Sequence, residues 1–125
     1  MNTSDYKSLE VWRKSIFLCK EVYLITRKLP KEETYVLSDQ MRRAAISIAS
    51  NIAEGQGRES KKEFLKFLSI SRGSLCELET QCIIAIEIGL LNDEDVSEIL
   101  SLCSEIGKMI RALANYLSKQ LAINN

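Results

Sequence analysis

The last third of the chain places Val96, Ile99, Cys103, Ile106, Ile110, Leu113 and Leu117 at strict steps of three and four. Only an α-helix puts such positions on one stripe, and a stripe this long is buried along a whole helix. The preceding chain repeats the pattern. Phe64, Leu68, Ser71, Leu75, Leu78, Cys82 and Ala85 form a second stripe, and Leu9, Trp12, Ile16, Cys19, Tyr23 and Thr26 a third, broadened by Val22, Ile25 and Leu29. A single proline and five glycines interrupt 125 residues, so the elements are long. No alternating segment is bounded by hairpin turn signals, which excludes a sheet.

Punctuation divides the chain into four helices, at about 8–29, 34–55, 60–89 and 93–120. Pro30 ends the first, because the residue before a proline disfavours the helical region. Gly55 and Gly89 read as left-handed stops for the second and third. Ser60-Lys61-Lys62-Glu63 is a capping box opening the third. Asn92 reads as the N-cap of the fourth, Asp93, Glu94 and Asp95 suit its positive end, and Leu91 with Val96 form a hydrophobic staple. Gly73, inside the third helix, predicts a close approach by a neighbour, and the residues beyond about Gln120 are expected to fray. Short connections force antiparallel neighbours. The expected fold is all-α: one domain over residues 1–125, an antiparallel up-down-up-down four-helix bundle.

The zero net charge hides a strong asymmetry. Residues 42–72 hold seven basic and three acidic groups, whereas residues 73–107 hold eight acidic groups and no basic one. In the bundle, Arg58, Lys61, Lys62 and Lys66 fall at one end. Glu87, Asp93, Glu94, Asp95 and Glu98 fall at the other.

The second helix is unusual. Met41, Ile48 and Ile52 give it a narrow core face, surrounded by alanines and serines that let other helices approach closely. Arg43, Ser47, Asn51 and Glu54 step by four, four and three and share a second face. Two readings stand for this stripe: a hydrogen-bonded network inside one bundle, or a subunit interface in which Arg43 and Glu54 pair between copies. A catalytic role is disfavoured. The chain has no histidine to partner Glu54 as an acid or base.

The same absence removes the Glu-x-x-His pairs of di-iron bundles and the usual haem ligands. No phosphate-cradling or nucleophile motif occurs. Cys19, Cys76, Cys82 and Cys103 form no C-x-x-C pair and read as buried reduced thiols rather than a metal site. No catalytic residue, metal or cofactor is expected, and the protein is read as not an enzyme. No apolar run approaches the ~20 residues that span a bilayer, and the N-terminus lacks a leader pattern. The expectation is a cytoplasmic protein with no membrane contact.

The segment QMRRAAISIASNIAEG at Gln40–Gly55 resembles the signature of the four-helix-bundle family encoded in intervening sequences of bacterial large-subunit ribosomal RNA genes. The likeness runs from YKSLEVWRKS at Tyr6, through the LPKEE turn at Leu29, to the fourth helix. Many relatives carry proline near Ala49, so alanine there predicts a locally straighter helix. The resemblance implies a homopentamer of bundles forming a barrel. It also connects the chain to the accessory variability determinant of diversity-generating retroelements, a basic barrel that binds nucleic acid and a reverse transcriptase.

Two functions follow as expectations. One is an oligomer binding RNA or DNA through Arg58, Lys61, Lys62 and Lys66, a rim multiplied by symmetry. The absence of aromatics from the adjoining loop and a pI of 6.3 argue against it. The other is a protein-binding scaffold without nucleic-acid contact, with Tyr6, Tyr35 and Tyr116 as candidate exposed aromatics.

Overall fold

The computed structural model describes residues 6–124; the first five residues, part of the segment on which the leader expectation rests, lie outside it. A 3-10 turn at Tyr6–Ser8 leads into α1 (Glu10–Thr26), followed by α2 (Asp39–Gly57), α3 (Lys61–Glu87) and α4 (Asp93–Asn124). No strand occurs among the described residues, and the fold is a four-helix bundle. Each helix packs on its neighbours in sequence, and α1 closes the ring against α4. Partners run in opposite directions. Along α2, Ser47 meets Ser74, Ile48 meets Ser71 and Gly55 meets Phe64. Between α1 and α4, Lys14 meets Glu105 and Lys28 meets Asp95.

The core follows the stripes of α2, α3 and α4 closely. Met41, Ile48, Ile52, Leu68, Leu78, Cys82, Val96, Ile99, Ile106 and Ile110 are all essentially inaccessible. Each large side chain buried this way stabilises the fold by roughly 1.5–3 kcal/mol before entropy is counted.

Helix α1 keeps most of its expected stripe, with Leu9, Trp12 and Cys19 packed against the core, but turns two of its members outward. Its buried residues are Val11, Ser15, Leu18, Val22, Ile25 and Thr26, whereas Ile16 and Tyr23 are exposed. Apolar residues extend beyond the buried face as far as Ile16 and Tyr23, so the apolar arc is wider than the part the interior takes. Ser15 and Thr26 can be buried because their hydroxyls donate to the carbonyls of Val11 and Val22, each at 2.8 Å. Ile16, Phe17, Tyr23 and Leu24 are left facing outward.

Helix ends also differ from expectation in instructive ways. Before Pro30 the chain tightens into successive three-residue turns, from Lys28 to Ile25 and from Leu29 to Thr26, and α1 ends at Thr26. A 3-10 turn at Lys31–Glu33 and a π-helical turn at Thr34–Ser38 then precede α2. Gly55 does not stop α2: the helix continues to Gly57, and Gly89 is the one described residue with positive φ, at 80°. A Cβ on Gly55 would lie 2.8 Å from both Phe64 Cδ1 and Phe67 Cβ. The glycine is a packing requirement of the α2–α3 turn. Gly73 shows the reverse, since a Cβ there would meet nothing within 4 Å. Beyond Gln120, where fraying was expected, α4 continues to Asn124.

At Gly89 the chain does form the left-handed cap. Leu90 donates to the Ala85 carbonyl and Gly89 to the Ile86 carbonyl, the paired bonds of a Schellman ending. Ser60 accepts from the Glu63 amide at 3.2 Å and caps α3. At the start of α4, Asn92 Oδ1 accepts from the Asp95 amide at 2.8 Å, while Asp95 Oδ2 accepts from the Asn92 amide at 3.0 Å. Asp95 also receives Lys28 Nζ at 3.2 Å, which ties the α3–α4 turn to the end of α1. The amide of Asn92 and then Lys28 hold the Asp95 carboxyl below its ordinary range.

Candidate functional site

The polar stripe of α2 separates into a connected middle and two detached ends. Asn51 Nδ2 donates to the Ser47 carbonyl at 2.8 Å and to Ser47 Oγ at 3.0 Å. Ser74 Oγ, from α3, donates to the same Ser47 hydroxyl at 2.8 Å. One turn away, Ser71 Oγ donates to the Ile48 carbonyl at 2.9 Å. Two hydrogen bonds from α3 serines therefore bind α2 to α3 at close range, with Asn51 holding the Ser47 hydroxyl from within α2. Ser71, which the sequence marks only as part of the α3 stripe, and Ser74, which it does not mark at all, supply the α3 side of these bonds.

Arg43 and Glu54 take no part in them. Arg43 is exposed and pairs with Asp39 at 3.3 Å, one turn back in its own helix. Glu54 pairs with Arg58 at 3.1 Å. Eleven residues of helix, about 16 Å, separate the two. The hydroxyl of Ser47 has an amide and another hydroxyl for neighbours and no base, so the stripe offers close packing rather than an activated nucleophile.

The basic end is built by the α2–α3 turn. Close packing of Gly55 against Phe64 and Phe67 fixes the angle at which α3 leaves α2. Arg58, at the end of α2, is occupied: it pairs with Glu54, lies 4.0 Å from Glu63, and its guanidinium sits 5.1 Å over the Phe67 ring. Lys61, Lys62 and Lys66 are different. All three are exposed and make no ion pair among the described residues. Lys61 and Lys62 open α3, where the helix dipole is already positive, and Lys66 stands in its second turn. Folding gains nothing from cations there.

Aromatic surface missing from the loop arrives from elsewhere. Beside Lys61 lies a cleft of about 470 Å³ whose walls include Leu9, Phe64, Leu113 and Tyr116. Tyr116 is 59% exposed, and Tyr35 is 90% exposed at the opposite end; Tyr6 instead packs edge-on against Trp12 at 5.2 Å.

The thiols are not uniform either. Cys82 and Cys103 are buried, Cys19 is half-buried and Cys76, expected inside, is exposed on α3. Desolvation pushes Cys19 and Cys82 up to about 11 and Cys103 higher still. No group of side chains suited to a metal ion occurs among the described residues, and no described helix is long and apolar enough to cross a membrane.

Comparison with known proteins adds a family and a fold. A crystal structure of a protein of unknown function from the S23 ribosomal protein family, from Bacteroides thetaiotaomicron, superposes with a TM-score of 0.77 at 25% identity. The match covers 83% of this chain and 97% of that one. None of the curated proteins matches in sequence. The profile described as 23S rRNA-intervening sequence protein matches residues 7–112, spanning all of α1, α2 and α3 and most of α4. The chain belongs to the 23S rRNA-intervening sequence protein family.

Proposed function

We propose that this protein is a non-enzymatic, cytoplasmic oligomer that binds nucleic acid through the basic end of its bundle. The observation that carries the reading is the set of unpaired cations Lys61, Lys62 and Lys66 at the positive end of α3. Such a cluster opposes the helix dipole and is relieved by a polyanion. Tyr116, beside Lys61, adds a face on which a base can stack. Assembly as a homopentamer, the state that the family resemblance implies, would repeat this surface around one axis.

Self-association draws support from the outer face of α3. Ile70, Ile84 and Ile88 are exposed, and Gly73 leaves open space between them where a neighbouring helix could approach closely. The pairing of Arg43 with Glu54 between copies remains part of this proposal, and requires each to exchange its partner within the chain.

The test is titration of labelled RNA and DNA at several salt concentrations, with sizing to report assembly. Binding is expected to fall steeply with salt, and K61E/K62E is expected to abolish it while leaving the oligomer intact. Salt-independent binding, or binding unaffected by K61E/K62E, would reject the basic end as the site. A second reading, a protein-binding scaffold, is favoured by Tyr35 and Val36, exposed at the α1–α2 connection in the acidic half. A protein partner lost on Y35A/V36S, with no nucleic acid bound, would select it.

A further inference from the structure

A second set of cations converges where α3 and α4 run side by side. Arg72, Cys76 and Glu79 step by four and three along α3, and Ser104, Lys108 and Arg111 do the same along α4. All six line one groove of about 260 Å³. Because the helices are antiparallel, Arg72 falls at the level of Lys108 and Arg111, and Glu79 at the level of Ser104. Gly107 lies in the groove wall without a side chain to fill it; a Cβ there would have Leu75 Cδ1 at 3.9 Å as its nearest neighbour.

Arg72, Lys108 and Arg111 make no ion pair among the described residues. Flanking positions of packed helices normally carry charges of opposite sign. Here three like charges face one cavity with a single carboxylate at its far end. Two are guanidinium groups, whose planar forks match phosphate oxygens in pairs.

The groove is also in line with the basic end. Eleven residues separate Lys61 from Arg72, and eleven separate Lys108 from Lys119. Eleven residues are three helical turns and about 20°, so each pair shares a helix face over about 16 Å. An isolated phosphate cannot span that distance, whereas a strand rising about 3.4 Å per phosphate spans it with about five.

We infer that the α3–α4 groove is a phosphodiester-binding track, in which Arg72, Lys108 and Arg111 hold the backbone of a nucleic-acid strand that enters at Lys61 and Lys62. This inference rests on the nucleic-acid reading above and extends it to a surface half-way up the bundle.

The experiment compares the native protein, R72Q/K108Q/R111Q, K61E/K62E and a control, K20Q/R27Q/K31Q, which changes net charge equally on other surfaces. Each is titrated against a labelled single-stranded RNA of 20 nucleotides over a range of salt, after circular dichroism and sizing confirm the fold. The groove variant is expected to bind at least tenfold more weakly at low salt, with the slope of log K against log salt reduced by about 2. The control is expected to keep the native slope. A native affinity and slope in the groove variant, with K61E/K62E inactive, overturns the track and leaves the basic end standing. Equal losses in groove variant and control overturn it as well, because net charge alone then explains the effect. Absence of RNA binding by the native protein overturns both readings.

Discussion

Arg42 Nε donates to Thr26 Oγ1 across 2.8 Å, and the same guanidinium lies 4.6 Å from the centre of the Tyr23 ring. One side chain thus ties α2 to the end of α1 by a charged hydrogen bond and by stacking. Thr26 is buried and passes its own proton to the Val22 carbonyl, so Arg42 supplies its acceptor oxygen with a donor. Arg42→Ala is expected to cost about 2 kcal/mol in urea unfolding, with Arg42→Lys recovering less than half. An ammonium keeps the charge and loses the planar stack.

Two glycines inside helices have opposite expected responses to alanine. Gly55→Ala drives a methyl into Phe64 and Phe67 at 2.8 Å, and a net loss of about 2 kcal/mol is expected despite the better helix propensity. Gly73→Ala meets open space and is expected to stabilise the isolated bundle by up to about 1 kcal/mol. Thermal unfolding at low protein concentration reads both signs.

Asp95 makes stability depend on pH in a defined direction. Its folded-state pKa is depressed by the Asn92 amide and Lys28, so the folded state binds its proton less readily than the unfolded chain. The contribution is therefore complete above the unfolded value near 3.9 and is lost as pH falls through the folded value. The gap in urea midpoint between native protein and D95A is expected to be constant from pH 7 to 5 and to narrow below about pH 4.

The cysteines give a chemical map of the interior. Alkylation of the folded protein at pH 8 is expected to modify Cys76 first and Cys19 slowly. Cys82 and Cys103 are buried with raised pKa values and react only after unfolding. Peptide mass spectrometry over time reads the order, and early modification of Cys103 would contradict the packing of the α3–α4 seam.

Periodicity located the core where one face of a helix is clearly more apolar than the others. Every apolar residue of the α4 stripe is buried except Leu113, which is half-buried. On α1 it was right for Val22, Ile25, Thr26 and Leu29, which are buried, and for Leu9, Trp12 and Cys19, which pack against the core, but it misplaced Ile16 and Tyr23 and missed Val11, Ser15 and Leu18. Ser15 lies off the expected stripe and is buried because its hydroxyl bonds to the Val11 carbonyl, so it enters the core at little cost and hides the face's continuity from a reading of apolar residues alone. Glycine was ambiguous: Gly55 and Gly89 carry the same letter, one for contact with two phenylalanines and one for positive φ. The meeting of Arg72 with Lys108 and Arg111 depends on the offset between α3 and α4, which no single helix encodes. Tyr116 reaches Lys61 by the same offset.

The unpaired lysines at one end of α3 and the acids around Asn92 at the other make each bundle a long electric dipole. Two such rods attract when they meet head to tail and repel when they lie side by side pointing the same way. A ring of parallel copies would therefore be opposed by this end-to-end charge and would have to be held by short-range contacts, such as the exposed isoleucines of α3. Screening would relieve the repulsion between parallel dipoles while loosening the nucleic acid bound to their basic ends.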